Sequence, residues 1–249
     1  MKRRQHREIG QLRELFDRYR RARRRRGLGG TLKLIAWKIG HACGYWTLPS
    51  RYRERRRDRE FDHRFGIETS GLVELRHMKI DSQNVPYATS YEQTKPAAFD
   101  ELMKHLNIHF EEFTFIDFGS GKGRAVLLAS DYPFKKIIGV EFAPQLDEIA
   151  QQNVNRYHSA TQKCRAIELH CLDVAEYVIP VEPAVFYFYN PFDAPVMTSV
   201  LDNIKRSLDE APRPVFILYC NARLRDLVQQ YGFTEIASSY WYSVLRNSL

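Results

Sequence analysis

The chain has 249 residues, 44% hydrophobic and 27% charged, with 13 Gly and 11 Pro; this suits one α/β-sized core with an appendage and excludes a collagenous or wholly disordered chain. The formal charge of +8 is unevenly placed, because residues 1–60 hold 20 Lys and Arg against 6 Asp and Glu while residues 61–249 hold 18 against 24. The basic character belongs to an N-terminal arm, and the remainder lacks the uniformly basic surface by which nucleic-acid enzymes neutralise phosphates. Cys43, Cys164, Cys171 and Cys220 show no CxxC or Cys/His ligand spacing. Neither a disulfide framework nor a metal site is expected, and a reducing cytoplasm fits. No apolar run approaches the roughly 18 residues of a spanning helix, and the Arg-rich start lacks a signal peptide's apolar stretch.

In residues 1–26 Arg dominates, with Leu12, Leu15, Phe16 and Tyr19 at helical spacing and four consecutive Arg before Gly27; a charged helix is expected. Leu32, Ile35, Ala36, Ile39, Cys43 and Trp46 then recur on one helical face, which predicts an amphipathic helix over residues 31–45. Two uses of that stripe stay open. It packs on the main domain, or it lies on an anionic membrane surface with Trp37, Tyr45 and Trp46 at the interface and the Arg runs on head groups. A second basic run covers residues 51–59. The organisation expected is a basic helical arm (1–60), a pre-core helical or lid segment (61–110) and a core (111–249).

Within the core, short apolar, aromatic or β-branched runs at 114–117, 137–141, 166–173, 184–190 and 214–221 suit buried strands. Helical patterns fill the gaps: Leu146, Ile149, Ala150 and Tyr157 after Pro144; Val196, Val200, Leu201, Ile204 and Leu208; Leu224, Leu227, Val228 and Tyr231 before Gly232. The alternation predicts an α/β fold, a doubly wound, Rossmann-like parallel sheet with helices on both faces. Residues 233–246 have no following helix and read as two strands turned near Ser238 and Ser239, an antiparallel pair at one sheet edge.

The most informative segment is Phe115-Ile116-Asp117-Phe118-Gly119-Ser120-Gly121-Lys122-Gly123-Arg124, a strand running into glycines at alternate positions. A phosphate-binding GxxxxGK[ST] loop is excluded, since Gly123 replaces the magnesium-holding hydroxyl and Ile116 stands where the first Gly belongs. A dinucleotide GxGxxG is excluded too, since Arg124 holds the place of the third Gly. The remaining Asp-x-Gly-x-Gly-x-Gly resembles the first motif of class I S-adenosylmethionine-dependent methyltransferases. The resemblance covers residues 85–249 and implies a seven-stranded sheet and S-adenosylmethionine as cofactor. It implies a cofactor site of Asp117, Gly119, Ser120, Gly121, Gly123, Glu141, Asp173 and Asn190. Glu141 would take the ribose hydroxyls, Asp173 the adenine amino group, and Val174 would lie on the ring. Each acidic residue also has a structural reading, Asp117 and Asp173 as caps and Glu141 as a solvated strand-end charge. Lys122 and Arg124 are expected to be surface charges without a catalytic role.

Asn190-Pro191-Phe192 follows the fourth strand, where that family places its substrate-facing motif, and resembles the Asn-Pro-Pro-Tyr/Phe of amino-methylating enzymes with one proline missing. The resemblance implies catalytic roles for Asn190, Pro191 and Phe192; the alternative is a tight turn. Two upstream stretches, Phe61 to Gly71 and Tyr87 to Glu92, resemble those of bacterial methyltransferases akin to Dot1-type lysine methyltransferases. This implies a protein amine as acceptor; Tyr87, Tyr91 and Glu92 read either as a lid over the methyl group, with Tyr91 counted among the catalytic residues, or as packing and surface residues. His63 and His77 read as structural. Two further readings stay open: an RNA or DNA amino-methyltransferase that uses the arm, and a non-catalytic cofactor-binding protein anchored by it.

Overall fold

The computed structural model of the chain describes residues 48–75, 78 and 80–248. The helices expected in residues 1–26 and 31–45, and His77, lie outside them. The chain divides into two compact units, Met1–Glu54 and Arg55–Leu249. Helix α1, Leu48–Phe65, runs without interruption through the expected boundary at residue 60.

The second unit is built on a seven-stranded sheet. Its strands are β1 (Thr114–Phe118), β2 (Lys136–Glu141), β3 (Ile167–Cys171), β4 (Ala184–Tyr189), β5 (Val215–Cys220), β6 (Phe233–Ser238) and β7 (Tyr242–Asn247), in spatial order β3-β2-β1-β4-β5-β7-β6. β1 to β5 are parallel, whereas β7 pairs antiparallel with β5 and β6. The seven strands, the parallel core and the antiparallel edge pair follow the sequence expectation.

The near-continuous apolar character of the central strands reflects burial on both faces, and β1 is buried at every position. Alternate residues serve opposite layers. Phe115, Ile137, Val185 and Tyr187 pack with α2 (Pro96–Met103) and α3 (Arg124–Ala129), while Ile116, Ile138, Phe186 and Phe188 pack with α5 (Ala194–Glu210). In α5 the buried Val196, Val200, Leu201 and Ile204 form one stripe, each worth about 1.5–3 kcal/mol when removed from water. A charge at Val200 would break that layer. Helix α4 (Pro144–Arg156) lies against β2 and β3, and α6 (Arg225–Gln230) against β6. β1 and β4 are neighbours, yet the chain leaves β1 toward β2 on one side and reaches β4 only after β3. This is a topological switch point, where the strand carboxyl ends open a crevice.

Candidate cofactor and acceptor site

The loop after β1 turns in the left-handed region at Gly119 (φ 82°) and Gly121 (φ 54°), a conformation that glycine adopts without steric cost. Gly119 also lets two loops meet: a Cβ there would stand 2.6 Å from Pro191 Cβ. At Gly121 a Cβ would clash with Cδ2 and Cε2 of the Tyr91 ring. The loop is tied to β2, since Gly119 and Ser120 N–H donate to the Val140 carbonyl at 2.9 and 3.1 Å.

Glu141, at the end of β2, is 4% exposed. Its carboxylate accepts from Gly121 N–H at 2.8 Å and Ala143 N–H at 2.9 Å. Burial outweighs those donors and a third from Phe142 N–H, and pushes its pKa from 4.5 up to about 7. Asp117, wholly buried beside it, is pushed well above the usual carboxylate range by burial and by the Glu141 charge.

Asp173 follows β3 and caps the short 3-10 helix Val174–Glu176, its Oδ1 accepting from Ala175 N–H at 3.0 Å. Its Oδ2 accepts from Ser82 Oγ and from Asn84 Nδ2, the latter at 2.9 Å. From there the chain crosses to the end of β4. Asp193 N–H donates to the Tyr87 carbonyl at 2.8 Å, Ala88 forms an antiparallel bridge with Phe192, and Thr89 donates through N–H to Pro191 O at 3.0 Å. Residues 82–94 thus form a strap fastened at Asp173 and again at 190–193.

Asn190 takes φ 44°, a left-handed turn that Asn tolerates better than most residues. Its carbonyl accepts from Thr89 Oγ1 at 2.7 Å and its Oδ1 from the Tyr219 hydroxyl at 3.4 Å.

Between strap and sheet lies a pocket of about 640 Å³ including its open mouth, within the range of small-molecule sites. Of the residues anticipated from sequence, Tyr91, Gly119, Glu141, Asp173, Pro191 and Phe192 line it, as does Val174; Asp117, Ser120, Gly121, Gly123 and Asn190 are not in its lining. Tyr87 is 39% exposed and is not in the lining either, whereas Glu92 is. Sequence reasoning missed Asn84, Thr89, Phe142, Leu146, Leu172 and Tyr189. Phe142 and Leu172 were detectable as neighbours of the acidic strand ends. Asn84 and Thr89 gave no signal, because their partners stand 89 and 101 residues away.

Lys122 and Arg124 are not surface charges: they are 6% and 1% exposed. Lys122 Nζ donates to Glu68 at 2.6 Å, and Arg124 is enclosed by Asp58, Asp62 and Thr69. The physical reason is that buried cations require partners, and these come from α1 and the turn after it. Asn153 fastens the same turn, accepting from Glu68 N–H and donating to the Glu68 and Lys122 carbonyls, each within 2.9 Å. His63 is exposed. Among the described residues no group of His, Cys, Asp or Glu is arranged to hold a metal ion, and no helix is long and apolar enough to cross a membrane.

Residues 71–168 match the family described as histone methylation protein DOT1. No curated protein matches the sequence. Solved structures similar to the chain include magnesium protoporphyrin IX methyltransferase from Synechocystis with bound S-adenosylmethionine (14% identity, TM-score 0.41, 61% of this chain and 77% of that one). Precorrin-6y C5,15-methyltransferase from Geobacter metallireducens is another (14% identity, TM-score 0.47, 69% and 100%). A third is the glycopeptide N-methyltransferase MtfA with S-adenosylmethionine (8% identity, TM-score 0.47, 63% and 94%).

Proposed function

We propose that this chain is a class I S-adenosylmethionine-dependent methyltransferase and that it methylates an amine, with a protein lysine as the acceptor. The pocket suits the cofactor. Glu141 accepts from the main-chain N–H groups of Gly121, Ala143 and Phe142 and keeps acceptor capacity for a ribose hydroxyl, since a carboxylate offers about four lone-pair directions. Asp173 likewise retains acceptor capacity on Oδ1 for an adenine amino group. Phe142, Leu172 and Val174 supply apolar surface for a ring.

The observation that carries the amine reading is the character of the lining. Beyond the two carboxylates assigned to the cofactor, Glu92 contributes a carboxylate, Tyr91, Tyr189 and Phe192 contribute rings, and no Lys, Arg or His is among the lining residues described. Aromatic faces and carboxylates attract ammonium groups and repel phosphates. The description of the matched family, histone methylation, supports a protein acceptor. When bound, the cofactor supplies an electrophilic methyl group on a sulfonium. The acceptor lysine takes the methyl as the neutral amine, its ammonium proton given up to solvent beforehand, and the chain's part is to hold that lone pair in line and to exclude water. The strap pairs with Phe192 along one side of the pocket and Pro191 lies against Gly119; on this reading the acceptor enters beside these residues.

The test is to incubate the full chain with methyl-labelled S-adenosylmethionine and cell extract, then digest with protease or nuclease or extract lipid. Label lost to protease and recovered as methyl-lysine is the expected result. Label lost to nuclease would replace this reading with the nucleic-acid one.

A further inference from the structure

Arg124 is among the largest fully buried side chains of the protein. Its guanidinium donates through Nη2 to Asp62 Oδ1 at 3.0 Å and through Nε to Thr69 Oγ1. Nη1 stands 3.9 Å from Asp58 Oδ1, and the group lies 4.2 Å over the Phe61 ring. Asp62 is a hub: it also accepts from Thr69 N–H at 2.9 Å, Thr69 Oγ1 at 2.6 Å and Ser70 N–H at 2.7 Å. Every polar group of Thr69 is therefore engaged, because its carbonyl accepts the Tyr91 hydroxyl at 2.6 Å. The Tyr91 ring rests on Gly121, and Gly121 N–H donates to Glu141. One continuous series of contacts thus runs from α1 through Arg124, Thr69, Tyr91 and Gly121 to the carboxylate expected to hold the ribose.

A buried ion pair contributes little stability compared with apolar residues of the same volume, so folding alone gives a weak reason for a guanidinium here. We infer that Arg124 is a positioning residue: with Asp62 it fixes the Thr69 carbonyl, which seats Tyr91 on the glycine loop and so sets the orientation of Gly121 and Glu141 in the cofactor pocket. The inference rests on the cofactor reading above only for the ligand used to read it out. Tyr91, not Arg124, meets the pocket; the role of Arg124 is indirect.

The experiment uses the full chain with Arg124→Lys, Tyr91→Phe and the double variant, and S-adenosylhomocysteine as probe in calorimetry. Each single substitution is expected to weaken binding about five- to tenfold, the scale of one lost hydrogen bond. The double variant should bind no worse than Tyr91→Phe alone, since both act through one hydroxyl. Multiplying effects, or a lowered melting temperature in Arg124→Lys with unchanged affinity, would reduce Arg124 to a packing residue and overturn the inference. If Arg124→Lys does not fold, Asp58→Asn takes its place in the same cycle. If the wild type fails to bind S-adenosylhomocysteine, the cofactor reading falls and hydrogen exchange of the unliganded proteins decides. Faster exchange at Gly121 in both Arg124→Lys and Tyr91→Phe upholds the positioning role, and unchanged exchange overturns it.

Discussion

With Glu141 proposed as the residue that holds the ribose, its buried carboxyl is expected to make cofactor binding depend on pH. Its pKa of about 7 in the folded chain, against 4.5 ordinarily, corresponds to roughly 3 kcal/mol of disfavour toward the ionised form. Ribose hydroxyls donate hydrogen bonds, so the ionised carboxylate is the form that receives them best. Ionisation of Glu141 rises through about pH 7, so affinity for S-adenosylhomocysteine should be weaker at pH 6 than at pH 8, by at most about tenfold. The unliganded fold responds with the opposite sign. A carboxyl with a raised folded pKa favours the folded state fully below pH 4.5, and that contribution is lost as pH rises through about 7. The wild type's stability to denaturant should thus fall from pH 5 to pH 8 relative to Glu141→Gln, while calorimetry should show binding strengthen over the upper part of the same range. Glu141→Gln serves as the control for titration of the ligand itself, and its affinity should be lower and flatter with pH. Identical slopes in the two proteins would refute the assignment of Glu141 to the ribose.

Gly119→Ala forces a left-handed backbone on a residue with a Cβ that meets Pro191; about 1–3 kcal/mol of strain should appear as a lowered melting temperature together with weakened S-adenosylhomocysteine binding. Asn190→Gly keeps the left-handed turn but removes the amide, so retained stability with methyl transfer cut at least tenfold is expected from a role in the reacting complex; full activity would leave Asn190 a turn residue. Phe192→Ala should reduce turnover more than cofactor affinity, as comparison of single-turnover rates with calorimetry would reveal. Deleting residues 1–54 should preserve S-adenosylhomocysteine binding, whereas deleting 1–65 removes Asp58 and Asp62, leaves Arg124 as an unpaired buried charge and should cost about 3–5 kcal/mol in unfolding experiments.

The order of elements was legible in the sequence because it depends on local pattern. Apolar runs of four to eight residues alternating with helical stripes specify buried strands and their crossovers, and the final pair without a helix had to run antiparallel. The glycine loop was legible because backbone that must turn left-handed calls for glycine, and Glu141 and Asp173 were singled out through the family resemblance that the loop carries. Other features depended on partners far along the chain. Asp173 was readable both as a cap and as a pocket residue; the structure has it capping while it also fastens Ser82 and Asn84. Arg124 looked like any solvated cation until α1 brought Asp62 beside it from 62 residues upstream. Nor could spacing reveal that Tyr91 lies on Gly121 or that Thr89 takes the Asn190 carbonyl. The sequence by itself determined the sheet, its switch point and the acidic floor of the pocket, since backbone conformation and strand burial are set by neighbours along the chain. Tertiary structure alone decided the strap, the burial of Lys122 and Arg124 and the seating of Tyr91, because a charge or a hydroxyl is buried only where distant residues supply its hydrogen bonds.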